Sequence, residues 1–168
     1  MKLSSIESLV RALNDARVRF LVVGGLAVVA HGYGRQTQDV DLVIRLRPDS
    51  IGAAFAALSS LGYRPRVPVT AEMLSDRATR DALVRDRGMV VLAFHSESHA
   101  ETPVDVFAAE PFDFETEYDA AKIVDLAPGV PVRIVRLATL LDMKRSADRP
   151  QDRADVAELT AIHGGLGA

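Results

Sequence analysis

The chain has 168 residues, 48% hydrophobic and 26% charged, with 20 basic against 23 acidic side chains and no cysteine. A net charge of −3 speaks against broad binding to nucleic acid or anionic membrane, although a local basic patch stays open. The lack of cysteine excludes disulfides, thiolate metal sites and a cysteine nucleophile, and the apolar fraction is too high for a disordered chain.

At roughly 150 residues per domain, the length predicts a single domain over residues 1–168. Its core would span about 1–135 and a C-terminal helical part about 136–163, without room for a separate substrate-recognition domain. The start, Met1 to Leu9, is amphipathic and lacks signal-peptide character. The longest apolar stretch, Leu21 to Ala30, is too short to span a bilayer. A soluble, cytoplasmic protein with no membrane contact is expected.

The elements follow in chain order. Ile6, Leu9, Val10 and Leu13 have helical spacing, and Ser4 with Glu7 has capping-box spacing. Val18 to Val23 is β-branched and apolar and ends at Gly24-Gly25, which predicts a buried strand. Leu26 to His31 reads as a short helix, and Val40 to Leu46 as a second strand. Asp49 or Ser50 would cap a helix through Leu61, with Gly62 after its end. Tyr63 to Val69 reads as extended, and Thr70 to Asp86 as helical. Met89 to Phe94 and Pro103 to Phe107 read as paired strands. Lys122 to Leu126 and Val130 to Ile134 read as a hairpin around Pro128-Gly129. Helices over Leu137 to Ala147 and Asp152 to His163 complete the chain, before a frayed tail from Gly164. No internal repeat, low-complexity segment or linker is visible. The pattern predicts an α+β fold with a mixed sheet, since strand and helix do not alternate strictly.

Chemistry concentrates in a few places. Gly24-Gly25, after a strand and before a helix, suits a backbone turn lying close to a phosphate. Alone, it reads more simply as a tight turn that needs positive φ. It is neither a dinucleotide fingerprint nor a Walker loop, because both spacings are absent. Asp39 and Asp41 are two apart on a strand and so share a face. Such a pair suits Mg²⁺, or simply a solvated strand end. Asp105 sits between Val104 and Val106. If its strand neighbours that of Asp41, three carboxylates meet, enough for two metal ions. Otherwise it is the polar face of an edge strand. Lys144 falls where the stripe Leu137, Leu140, Leu141 calls for an apolar residue. It either turns inward as a point charge for phosphate or marks a helix end in solvent. Asp152 breaks the next helix's stripe in the same way, and equally fits a helix cap.

Val23-Gly24-Gly25, thirteen further residues, Asp39-Val-Asp41-Leu and a later strand with Asp105 together resemble the nucleotidyltransferase superfamily with the DNA polymerase beta-type palm. Met143-Lys144-Arg145 and Arg149 to Asp155 resemble the helical half of small bacterial members, the AbiE-type toxins and lincosamide-type antibiotic nucleotidyltransferases. The second glycine stands where many members carry serine. The resemblance implies a mixed sheet flanked by helices, with C-terminal helices following the palm. It implies transfer of a nucleoside monophosphate from an NTP, ATP among the candidates, to a hydroxyl acceptor, with two Mg²⁺ ions. Asp39, Asp41 and Asp105 would be the metal ligands and catalytic residues. Gly24, Gly25 and Lys144 would serve the triphosphate, with Arg35, Thr37 and Asp152 as further nucleotide-binding candidates. Antibiotic, protein and tRNA end are all open as acceptor, the last through a basic cluster of Lys144, Arg145, Arg149 and Arg153. A cognate antitoxin or a homodimer would fit such a family. The competing reading is a catalytically silent module acting as a binding partner, for example in a toxin–antitoxin pair.

His95 and His99 lie in a polar loop without further strong zinc ligands, and His31 is read as structural. The run Arg77 to Arg87 alternates charge, as a solvated helix face or an acceptor-facing lid would.

Overall fold

The apolar run before the glycine pair folds as β1 (Phe20–Val22), every residue of it buried. This computed structural model describes residues 1–164, so most of the expected frayed tail, from 165 onward, lies outside the described residues. Before β1 comes α1 (Leu3–Asp15), whose buried face is Ser5, Ile6, Leu9, Val10 and Leu13. Ser4 does not cap it. Lys2 holds the cap position, and its backbone N–H donates to Thr102 Oγ1 at 3.2 Å, so a long-range contact sets the helix start.

The next helix, α2 (Gly24–Ala30), begins on the glycine pair itself. β2 (Val40–Ile44) follows, two residues shorter than expected. α3 (Pro48–Ser60) starts at the proline rather than at an Asp49 or Ser50 cap, because proline's fixed φ suits the first helical position. Gly62 takes positive φ just past its end, as expected. The extended stretch after it contracts to β3 (Arg64–Pro65).

The single helix expected over Thr70 to Asp86 is two, α4 (Ala71–Ser75) and α5 (Arg77–Arg87). Asp76 breaks it: its backbone is extended and its carboxylate accepts from Thr79 N at 2.8 Å, the geometry of a new helix cap. β4 (Val91–His95) and β5 (Val104–Phe107) pair antiparallel, as anticipated. The sequence reading left out α6 (Phe114–Ala120), which Asp113 caps through Thr116 N at 2.9 Å. β6 (Lys122–Ala127) and β7 (Val130–Ile134) form the expected hairpin. α7 (Leu137–Ala147) matches its expected span, and α8 (Pro150–Ile162) starts two residues before the expected Asp152, at a proline, and ends one residue before His163.

The seven strands form one mixed sheet in the order β3-β4-β5-β2-β1-β7-β6. β1 runs antiparallel to β2 and parallel to β7, while β2 runs parallel to β5. α1 and α3 pack together and against β7 and β2; α2 bridges β2 and α7, and α7 packs on α8. Val40 and Leu42 on β2, with Val104 and Val106 on β5, put their side chains into the core. Strand alternation therefore turns Asp41 and Asp105 to the opposite face. Among the described residues no helix is long and apolar enough to cross a membrane.

Candidate active site

Asp41 and Asp105 are direct partners in the parallel register of β2 and β5. Asp39 stands just before β2, two residues from Asp41 and on its face. Oxygens of all three carboxylates lie within 4.8 Å of one another, the one such cluster of acidic and histidine side chains among the described residues. The strand neighbourhood on which the triad depends is therefore present.

The acids crowd one another. Burial, then the charges of Asp39 and Asp105, push the Asp41 carboxyl up to about 6; the Gly25 backbone N–H donated to it and the charge of Lys144 pull the other way. Asp105 is raised too, by burial and then Asp39, with Arg66 opposing. A half-buried set of hard oxygen donors that repel each other is the chemistry a divalent cation relieves, so the residues present fit Mg²⁺.

Gly24 borders this cluster. Its φ is +61°, and a Cβ there would collide with the Asp41 carboxylate. The turn therefore needs glycine for conformation and for space. Gly25 needs it for space alone, because a Cβ would strike Thr37 Oγ1, with Arg35 Nη2 3.3 Å away. The loop carrying Arg35 and Thr37 thus lies directly on the start of α2. Gly24, Gly25, Arg35, Thr37, the triad, Lys144 and Asp152 all line one cleft of about 1180 Å³.

No family model and no curated protein sequence matches the chain. Solved structures do. ANT(2'')-Ia in complex with adenylyl-2''-tobramycin superposes with a TM-score of 0.59 at 15% identity, over 97% of this chain and 89% of that one. The solution structure of the same antibiotic-resistance factor gives 0.60 at 16% identity, over 95% and 83%. JHP933 from Helicobacter pylori gives 0.52 at 14% identity, over 95% and 66%. The chain has a nucleotidyltransferase fold.

In this nucleotidyltransferase fold the two C-terminal helices close the cleft through a buried ion network. Lys144, only 7% exposed, turns inward. Its ammonium is held by Asp152 and Asp155, each at 2.8 Å. Asp155 also takes both arms of Arg35, at 2.7 and 2.8 Å, and the Gln151 amide at 3.0 Å. Asp152 accepts from the Arg149 side chain at 2.7 Å and from its backbone N–H at 3.3 Å. Burial alone would raise both aspartates, but their cationic partners hold them below the ordinary carboxylate range. The sequence reading assigned Asp155 no role. Its spacing of three from Asp152, on the face carrying Val156 and Leu159, was the available signal.

A second buried acid has no counterpart among the sequence expectations. Glu117, 2% exposed, accepts from Arg136 N at 2.7 Å, from the Arg136 guanidinium at 2.8 and 3.0 Å, and from Thr139 Oγ1 at 2.7 Å. It ties α6 to the first turn of α7. Nothing at 108–121 in the apolar periodicity announced it; Asp113 with Thr116 was the capping signal.

The basic cluster of the last helices is largely neutralised: Arg145 pairs with Asp142, Arg149 with Asp152 and Arg153 with Asp148. His31 Nε2 lies 2.8 Å from Val135 O, linking α2 to the end of β7. His99 bonds Ser5 Oγ and stacks on Tyr63, whereas His95 is exposed at the end of β4.

Proposed function

We propose that the protein is a Mg²⁺-dependent nucleotidyltransferase acting, as one catalytic unit over the whole chain, on an NTP and a hydroxyl acceptor. The observation that carries this reading is the convergence of Asp39, Asp41 and Asp105 beside a turn that only glycine can form. The adenylylated ligand of ANT(2'')-Ia, a protein of the same fold, supports ATP as donor and a small molecule as acceptor.

Asp39 and Asp41 would hold both metal ions, and Asp105 one of them. Bound there, the ions supply charge neutralisation at the phosphates and at the attacking and leaving oxygens. Gly24 and Gly25 form the floor on which the triphosphate lies. Asp105, one strand further from that floor, faces the acceptor. It orients the acceptor hydroxyl and takes its proton as the oxygen bonds to the α-phosphorus and pyrophosphate leaves. Lys144 supplies positive charge near Asp41, at the triphosphate. Asp152 serves mainly to hold it, since both of its oxygens are engaged by Lys144 and Arg149. Arg35 and Thr37 shape the donor side.

Equilibrium binding of each NTP, with and without Mg²⁺, tests this. The wild type is expected to bind in the presence of Mg²⁺ and a D39N/D41N double variant is not. Equal binding by the two would leave the silent-module reading in its place. Labelled NTP added to a cell extract would then show by size whether small molecule, RNA or protein gains the label.

A further inference from the structure

The register of the sheet continues past Asp105 to an unused pair of arginines. Ala93 on β4 is the partner of Asp105, and His95 is the partner of Arg64 on β3. The Arg66 backbone N–H donates to Ala93 O at 2.9 Å, extending the ladder by one rung. Residues directly opposite one another share a face. Asp41, Asp105, Ala93 and Arg66 therefore form one row across the open face, with Arg64 and His95 in the row beside it. Leu92 and Phe94 turn into the core on the other side. Ala93 has no bulk to separate Arg66 from Asp105, and the arginine's charge is felt at that carboxylate.

The contrast with the arginines that line the cleft is sharp. Arg35, Arg136 and Arg149 are each bound to a carboxylate. Arg64 and Arg66 are exposed and enter no ion pair among the described residues. Position decides what they serve. Gly24 follows β1, on one side of the Asp41–Asp105 pair; Arg66 lies two strands beyond β5 on the other, roughly 10 Å from it at the usual strand spacing. The triphosphate floor and the arginines are at opposite ends of the row, with Asp105 between them.

We infer that Arg66, backed by Arg64 and His95, is a specificity-determining anion subsite for the acceptor, which carries a phosphate group near the hydroxyl that reacts. A guanidinium matches two phosphate oxygens at once, and an unpaired one keeps all its donors for the ligand. The overall acidity of the chain does not oppose this, because the patch is local. This inference rests on the proposed nucleotidyltransferase reading for the word acceptor, and on the sheet register for the anion site itself.

The test uses the full chain with a non-hydrolysable ATP analogue and Mg²⁺ present, so that the nucleotide site is filled. Two matched pairs are titrated by NMR: glycerol 3-phosphate against glycerol, and a trinucleotide against its uncharged methylphosphonate counterpart. At least one anionic member is expected to bind, more weakly as salt rises, and its neutral match is not. R66A is expected to weaken that binding about tenfold, with R66K partly restoring it and the affinity for the ATP analogue unchanged. The pair that responds tells a small phosphate ester from a nucleic-acid end. Equal binding within both pairs, no binding of any probe, or an R66A titration matching wild type would overturn the inference, as would binding of a polycationic amino sugar that R66A leaves intact. Failure of the ATP analogue to bind would instead count against the nucleotidyltransferase reading, and Arg66-dependent phosphate binding would still be read out separately.

Discussion

Asp41 and Asp105 stand opposite each other across two parallel strands, with a carboxylate oxygen of Asp39 within 4.8 Å of both. Among the described residues no cation is paired with this cluster. Lys144 biases it from a distance, but its ammonium is bonded to Asp152 and Asp155. The site is thus built against the stability of the metal-free fold.

That tension gives a pH prediction. Asp41 is raised from an ordinary 3.8 to about 6 in the folded protein. The folded state therefore holds its proton more tightly than the unfolded state. Stability from this group is present below about pH 4 and is lost as pH rises through about 6. Two pH units correspond to roughly 3 kcal/mol at most. The variant D41N removes the charge, so metal-free D41N should melt several degrees above wild type at pH 7.5, with the gap closing at pH 4.5. Mg²⁺ should raise the Tm of wild type and leave that of D41N unmoved. A wild type as stable as D41N at pH 7.5 without metal would contradict the crowding argument.

At Gly24 the prediction concerns the turn. G24A faces a left-handed backbone, which costs about 1–2 kcal/mol, and a Cβ pressed on the Asp41 carboxylate. Urea unfolding should show a loss of at least about 2 kcal/mol, and Mg²⁺–NTP affinity should fall more than about tenfold. G25A has no backbone strain; its methyl must push Thr37 aside, so it should fold and lose affinity with a smaller stability deficit.

How far the sequence alone reached follows from which signals are local. The same-face pair Asp39 and Asp41 follows from strand alternation, and the broken apolar stripe of α7 marks Lys144 as either inward or at a helix end in solvent. Both are properties of a few consecutive residues. That β5 lies beside β2, with Asp105 level with Asp41, is a fact of chain crossing, which the residues around Asp105 do not encode by themselves. The same holds for Lys144: the break in the stripe is local, but its burial and its partner Asp155 are not, because an eleven-residue separation is bridged only by the packing of α7 on α8. The split at Asp76 and the helix at Phe114 show a different limit. There the apolar periodicity is weak, and a capping aspartate decides the boundary.

The ion pairs of Lys144 also contribute to folding stability. K144A would leave Asp152 and Asp155 buried, with Arg149 and Arg35 as their remaining cations. Removing one partner of a buried ion pair typically costs about 3–5 kcal/mol. Both aspartates are lowered in the folded state, so their contribution is present above pH 3.8 and is lost as pH falls through their depressed values. K144A should therefore unfold at a higher pH than wild type in an acid titration followed by circular dichroism. Matching acid midpoints would show that the arginines alone carry the network.

Within the triad, nucleotide binding and chemistry fall to different carboxylates in the proposed reading. If Asp39 and Asp41 hold the metal-bound triphosphate and Asp105 acts on the acceptor, the variants should differ in kind. D41N should lose NTP binding and transfer together. D105N keeps the Gly24 turn, the two donor-side carboxylates and the Lys144 network, so its NTP affinity should stay within about threefold of wild type. Its transfer rate should fall by at least about a hundredfold, the usual contribution of a positioned proton acceptor. Burial of Asp105 is partial and its asparagine is isosteric, so a folding defect is not expected. Single-turnover transfer from labelled ATP, measured beside equilibrium ATP binding, gives both quantities. Loss of binding in D105N equal to that in D41N would place Asp105 on the donor side instead, and with it would remove the separation of donor and acceptor ends along the sheet.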